Sequence, residues 1–97
     1  MANIKSAIKR VDVNERQRKA NKVYRSNIKT FTKRYLTSLE HYASNPSEAN
    51  LAEVFTNLSF VYSKIDKAMK KNILHKNAAA RKKSNLRSQL NRLQSTL

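Results

Sequence analysis

Ala43-Ser44-Asn45-Pro46-Ser47-Glu48 is the one clear interruption in a chain of 97 residues that has no glycine and a single proline. Glycine and proline are the strongest breakers of a helix, so a chain nearly free of both defaults to long helices. In this stretch Asn45 is read as an N-cap. Pro46 is read as the first helical residue, where its missing N–H is not needed, and Glu48 completes a capping box three residues after the cap. A second break falls at Lys71-Asn72-Ile73, because Asn enters a left-handed turn more readily than most residues. Asn77, ahead of Ala78-Ala79-Ala80, is then read as the N-cap of a third helix. The pattern predicts helices near 5–43, 47–70 and 76–96.

Apolar spacing gives each helix one inward side. Tyr24, Ile28, Phe31, Tyr35, Leu39 and Tyr42 step by four or three along the first. Leu51, Val54, Phe55, Leu58, Val61, Tyr62, Ile65 and Met69 form a wide stripe on the second, and Ala79, Leu86, Leu90, Leu93 and Leu97 line the third. Such stripes are buried against one another, and short connections make neighbours antiparallel. The fold class is therefore all-α, a three-helix antiparallel bundle. Phe60 lies outside it, roughly 160° from the centre of its helix's stripe. It is read either as an ordinary exposed aromatic or as a contact point.

Lengths decide the architecture. At about 1.5 Å per residue the first helix runs roughly 55–60 Å and the other two about 30–36 Å. A compact domain of 100 residues has a radius of gyration of about 13 Å, so roughly twenty residues must overhang. The overhang belongs at the N-terminus, because Asn14-Glu15-Arg16-Gln17-Arg18-Lys19 has no apolar residue. The chain is accordingly expected to form one domain, with a basic arm at 1–22 and a bundle at 23–97. Ile4, Ile8 and Val11 lie about 150° around the first helix from its core seam. Either they touch something outside the chain, or the first turns are not helical in the free protein. Residues 1–20 are expected to fray when free, because their self-repulsion is unopposed.

The chain carries 21 Lys and Arg against 6 Asp and Glu, a net charge of +15. Residues 1–35 hold a net +9, residues 36–66 a net −3 and residues 67–97 a further +9 with no carboxylate at all. So much charge of one sign calls for a polyanionic partner. Lys5, Lys9, Arg10, Arg16, Arg18 and Lys19 point all round the axis. Arg18, Lys22, Arg25, Lys29 and Lys33 form a stripe roughly 125° from the core seam. A helix charged all round suits burial in nucleic acid, whereas a one-sided stripe suits a helix lying on it. The turn near Asn72 comes level with residues 18–25. It gathers Lys67, Lys70, Lys71, Lys76, Arg81, Lys82 and Lys83 beside the arm, while Glu40, Glu48 and Glu53 sit at the opposite end. Arg forks phosphate oxygens and Lys meets them as a point charge, and the third helix adds free N–H groups at its start.

Other functions find little material. There is no cysteine for a thiolate site and no glycine for a phosphate-cradling loop. His75 has no second metal ligand at suitable spacing, so it is read as a nucleic-acid contact or as loop packing. His41 is read as a surface residue. Asp12 with Glu15, and Glu48 with Glu53, imply no pocket for acid–base work. The chain is thus expected to be neither enzyme nor metalloprotein, to use no cofactor and no small-molecule substrate, and to be no homo-oligomer. No apolar run approaches 18 residues and the start lacks a signal-peptide core, so the expectation is a soluble intracellular protein off the membrane. Zinc fingers, leucine zippers and glycine-turned helix-turn-helix units are all disfavoured. Folded RNA with deep crevices suits a rigid helix longer than its own domain. The rivals are an architectural DNA-compacting protein and a protein of anionic lipid surfaces.

Two stretches carry a resemblance. Ala2-Asn3-Ile4-Lys5-Ser6-Ala7-Ile8-Lys9-Arg10-Val11, followed by Asn14-Glu15 and Asn21-Lys22, resembles the start of the bacterial small-subunit ribosomal protein S-twenty family. The stretch from Ile73 to Leu86, with His75-Lys76-Asn77 and Arg81-Lys82-Lys83, resembles its second hallmark. The resemblance implies an rRNA-binding helical bundle of the small ribosomal subunit. It would contact 16S rRNA directly, act early in assembly and neighbour other small-subunit components. It also implies RNA contacts at Asn3, Lys5, Ser6, Lys9, Arg10, Asn14, Arg16, Arg18, Lys22, His75, Lys76, Asn77, Arg81, Lys82 and Lys83. The charge pattern adds Lys19, Arg25, Lys29 and Lys71. The chain departs from the family at Asn72, where a Gly is usual, and at Gln17, in a stretch that is often wholly basic. Its many Asn, Lys, Ile and Tyr residues hint at an AT-rich genome. The ribosome implied is therefore cytoplasmic in a bacterium, or in the stroma for a plastid-encoded member.

Overall fold

The computed structural model describes the backbone of residues 2–97 and the side chains of residue 4 and residues 6–97. Three helices account for it: α1 (Ala2–Ser44), α2 (Glu48–Lys70) and α3 (Lys76–Thr96). The predicted count and boundaries hold to within three residues at every end. At about 1.5 Å per residue α1 spans roughly 64 Å. That one helix sets the long axis of a molecule measuring 68 × 21 × 13 Å, with a radius of gyration of 18.6 Å.

α2 is the centre of the bundle and packs against both other helices, most extensively against α1. Tyr35, Val54, Val61, Ile65, Ala68 and Leu90 are completely shielded from solvent, and Ile28, Leu39, Leu58, Ala79 and Leu86 nearly so. Each fully buried Val, Leu or Ile contributes roughly 1.5–3 kcal/mol relative to exposure. Tyr35 joins α1 to α3 by donating its hydroxyl to the Leu86 carbonyl at 2.7 Å. Burial, with Tyr62 nearby, pushes the Tyr35 phenol up to about 12 against an opposing pull from Arg87. Ser38, the buried polar side chain of the core, donates to the Tyr35 carbonyl at 2.7 Å. Tyr62 likewise donates to the Lys83 carbonyl, at 3.1 Å.

Two residues expected in the core are outside it. Phe55 is 38% exposed, because it stands about 90° around α2 from the Val54–Leu58–Val61–Ile65 line. Arg87 covers its ring, 5.3 Å from the centroid. Leu97 ends the chain as the C-cap of α3 and is 56% exposed, beyond the reach of α2. Ala68 is the buried apolar residue that the stripes do not include.

Both connections use caps at other residues than expected. Asn45 belongs to the exit of α1, its N–H donating to the His41 carbonyl at 2.9 Å. Pro46 therefore lies between the helices, and Ser47 takes the extended conformation and accepts the Asn50 N–H at 3.2 Å as the N-cap. Asn50 reaches back through Nδ2 to the Asn45 carbonyl at 2.7 Å, and Glu48 stands in the first turn, where the helix dipole favours it. At the other connection Asn72 has φ 60°, the left-handed turn predicted for it. The Asn72 N–H bonds the Met69 carbonyl and the Ile73 N–H bonds the Ala68 carbonyl, the paired bonds of a Schellman cap. Asn72 thus makes the left-handed turn without a glycine. His75, extended at φ −69°, then caps α3: its Nδ1 accepts the Asn77 N–H at 3.1 Å. Asn77 is already inside the helix, too late in the chain to be the cap.

Candidate nucleic-acid interface

The first half of α1 has no neighbour to pack against. Every described side chain from Ile4 to Ala20 is exposed, and Asn21 is the first to be partly covered. Ser6, Lys9, Arg10, Asn14, Arg16, Arg18 and Lys19 are all open to solvent. Asn3 and Lys5 have side chains outside the described residues. Ile4, Ala7, Ile8 and Val11 form an uncovered apolar strip next to Asp12, with the three larger residues 57–62% exposed.

Further along, the bundle brings α3 to the basic stripe. Arg25, Lys29 and Lys33 of α1 and Lys82 of α3 rim an open groove of about 580 Å³ floored by Ile28, Leu36 and Leu74. Arg18 and Lys22 continue the same row toward the arm. Leu74 is the hinge of this arrangement. It lines that groove and also a second hollow with His75 and Lys76. Lys71, His75, Lys76, Asn77, Arg81 and Lys82 are exposed around the turn. Because His75 Nδ1 accepts a backbone N–H, a neutral ring carries its proton on Nε2, as a donor aimed away from the cap.

Lys83 differs from its neighbours. It is paired with Asp66 of α2 and its ammonium lies 5.4 Å over the Tyr62 ring. This is the one ion pair among the described residues, so the other described cations stand without a carboxylate. Lys33 rims the groove although it is not among the RNA contacts expected from the sequence. Its place in the Arg18–Lys33 stripe, four residues after Lys29, already pointed to it. No group of three or more His, Asp or Glu that could hold a metal ion occurs among the described residues, and none of their helices is long and apolar enough to cross a membrane.

A long helix bared for half its length, with an unpaired cationic row that runs into the α2–α3 turn, defines a cationic all-α protein with an overhanging arm. Residues 2–91 match the family model described as Ribosomal protein S20, and the chain belongs to that family. Among its relatives is a protein of Gloeobacter violaceus, 58% identical over 89% of this chain and 84% of that one. Others are from Cyanothece sp., 51% identical over 95% and 93%, and from Acaryochloris marina, 54% identical over 89% and 92%. All three are named small ribosomal subunit protein bS20.

Proposed function

We propose that this protein is a structural constituent of the small ribosomal subunit that binds 16S rRNA directly and stabilises its fold during assembly. The observation that carries the reading is the row Arg18, Lys22, Arg25, Lys29, Lys33, joined by Lys82, with no carboxylate partner among the described residues. Phosphates supply what the chain does not. The exposed arm, charged all round, enters a crevice between RNA helices, and the groove side of the bundle lies against one of them. Arg side chains fork phosphate oxygens, and His75 offers Nε2–H beside Lys76. Lys83 contributes less than Arg81 or Lys82, because Asp66 already offsets its charge. Residues 1–22 act as the arm and 23–97 as a spacer that keeps crowded RNA helices at a fixed distance. Other small-subunit components are neighbours through the RNA. The setting is the ribosome of a bacterial cytoplasm or a plastid stroma.

A salt titration of binding to 16S rRNA, with length-matched duplex DNA as competitor, tests this. The expected result is rRNA binding that survives excess DNA at physiological salt. The slope of log K against log salt should become shallower by about 2–3 in Arg10→Gln/Arg16→Gln/Arg18→Gln, at roughly 0.7–0.9 for each phosphate no longer neutralised. Equal displacement by DNA at every salt would sink the reading in favour of generic polyanion binding.

A further inference from the structure

Phe31 of α1 and Phe60 of α2 meet across the α1–α2 groove, ring centroids 5.9 Å apart and planes at 38°. The Arg34 guanidinium stands 5.1 Å and the Lys64 ammonium 5.3 Å from the Phe31 centroid. Phe31 is half-buried, but Phe60 is 51% exposed. Neither cation is ion-paired among the described residues. Thr30, Thr37 and Asn57 line a polar hollow of about 610 Å³ that runs on from Arg34. Glu53, at its other end, is about two turns of α2 away from Phe60. Phe31 lies roughly 160° around α1 from the Arg18–Lys33 row, but the hollow is also lined by Lys33, so the cluster adjoins the interface described above at that residue and turns from there onto the α1–α2 side.

We propose that Phe60, braced by Phe31, is a stacking platform for an unstacked nucleobase of the bound RNA, and that Arg34 and Lys64 take the adjoining phosphate. The proposal rests on the rRNA-binding reading. Three features select this occupant. Phe60 has its partner ring on one side at a 38° tilt and is 51% exposed, which leaves open ring surface for a flat base. The two cations supply charge where the nucleotide carries its phosphate, and Asn57 and the two threonines offer both donors and acceptors for a base edge. An apolar protein surface laid on the same ring would have to cover Arg34 and Lys64 with no carboxylate to meet them, at a substantial desolvation cost. A stacked duplex base is equally excluded, because its face is already occupied. The consequence is that the RNA contact runs on from the basic row past Lys33 to the α1–α2 side, so that the bundle is gripped on two faces.

The test uses the full chain with 16S rRNA and length-matched duplex DNA. The chain has no tryptophan, so Phe60→Trp places a single reporter at the platform. Its emission should be quenched by 16S rRNA and not by duplex DNA, with affinity at or above the wild type. Phe60→Leu keeps an apolar side chain against Phe31 but no π face. It should bind 16S rRNA roughly 5- to 150-fold more weakly, the range for losing one stacked base. Its salt slope should be unchanged, and its thermal melt should match the wild type. Arg34→Gln/Lys64→Gln should instead make the slope shallower by about 0.7–0.9, one phosphate's worth. Wild-type affinity in Phe60→Leu, or Phe60→Trp emission indifferent to rRNA, overturns the platform while rRNA binding stands. A wild-type protein that does not prefer 16S rRNA to duplex DNA overturns the functional reading and the platform together.

Discussion

The two halves of α1 share a backbone conformation and almost nothing else. From Tyr24 to Tyr42 the helix is held by tertiary contacts. Ile28, Tyr35, Ser38 and Leu39 are buried, and a tyrosine hydroxyl ties the helix to α3. From Ile4 to Ala20 no described side chain is covered, and the charges repel one another. The contrast separates two jobs that are often confused. Burial fixes where the helix points, and exposure decides what it meets. A change in the first region should move stability and a change in the second should move binding.

Hydrogen exchange probes that division most strongly. Amides of residues 6–20 in the RNA-free protein should exchange at least about a thousandfold faster than those of residues 28–39, because only the latter need the bundle to open. Comparable protection in both halves would erase the distinction. Next in size, Ile65→Ala should lower the unfolding free energy by about 2–5 kcal/mol, the range for emptying a fully buried position. Ile8→Ala should change it by less than about 0.5 kcal/mol, read by chemical denaturation, since Ile8 is exposed.

Tyr35 gives a smaller effect and a pH signature. Its phenol is raised in the folded state to about 12 from the ordinary 10, so the protonated form is the one that folding favours. That contribution is complete below pH 10 and is lost as the pH rises toward 12. Tyr35→Phe should cost about 1 kcal/mol at neutral pH through the missing Leu86 bond. The difference from wild type should shrink between pH 10 and 12, followed by denaturation at each pH. The turn at Asn72 gives an effect of similar size without a pH signature. Asn72→Ala should cost roughly 1 kcal/mol because a Cβ without a local polar partner resists φ 60°, whereas Asn72→Gly should melt at or slightly above the wild type.

The sequence made the helices legible because breakers were so rare that each interruption stood out. The apolar periodicity then named most of the core. It overreached at Phe55 and Leu97, since a stripe records what is apolar and not how much of it two flanking helices can cover. Both N-caps were misplaced by the same physics. Several residues in each connection are competent to cap, and the choice falls to whichever is extended once the preceding helix has finished its own bonds. Asn45 is used up by α1, which leaves Ser47. The Schellman turn at Asn72 delivers His75. Among the candidate contacts, the exposure of the basic row followed from helical angle alone. The pairing of Lys83 with Asp66 did not, because it joins residues on different helices. Nor did the meeting of Phe31 with Phe60, for the same reason.

The unbroken passage of α1 from bundle to arm has a kinetic consequence. Starting a helix in water is the slow and unfavourable step, because several residues must be fixed for the first hydrogen bond, whereas each later residue adds one bond of its own. The packed turns around Ile28 and Tyr35 are a permanent seed, so the arm never has to begin a helix. It only has to lengthen one. On an RNA surface the arm can therefore grow outward residue by residue, and unwind the same way, like a zipper whose slider is already engaged.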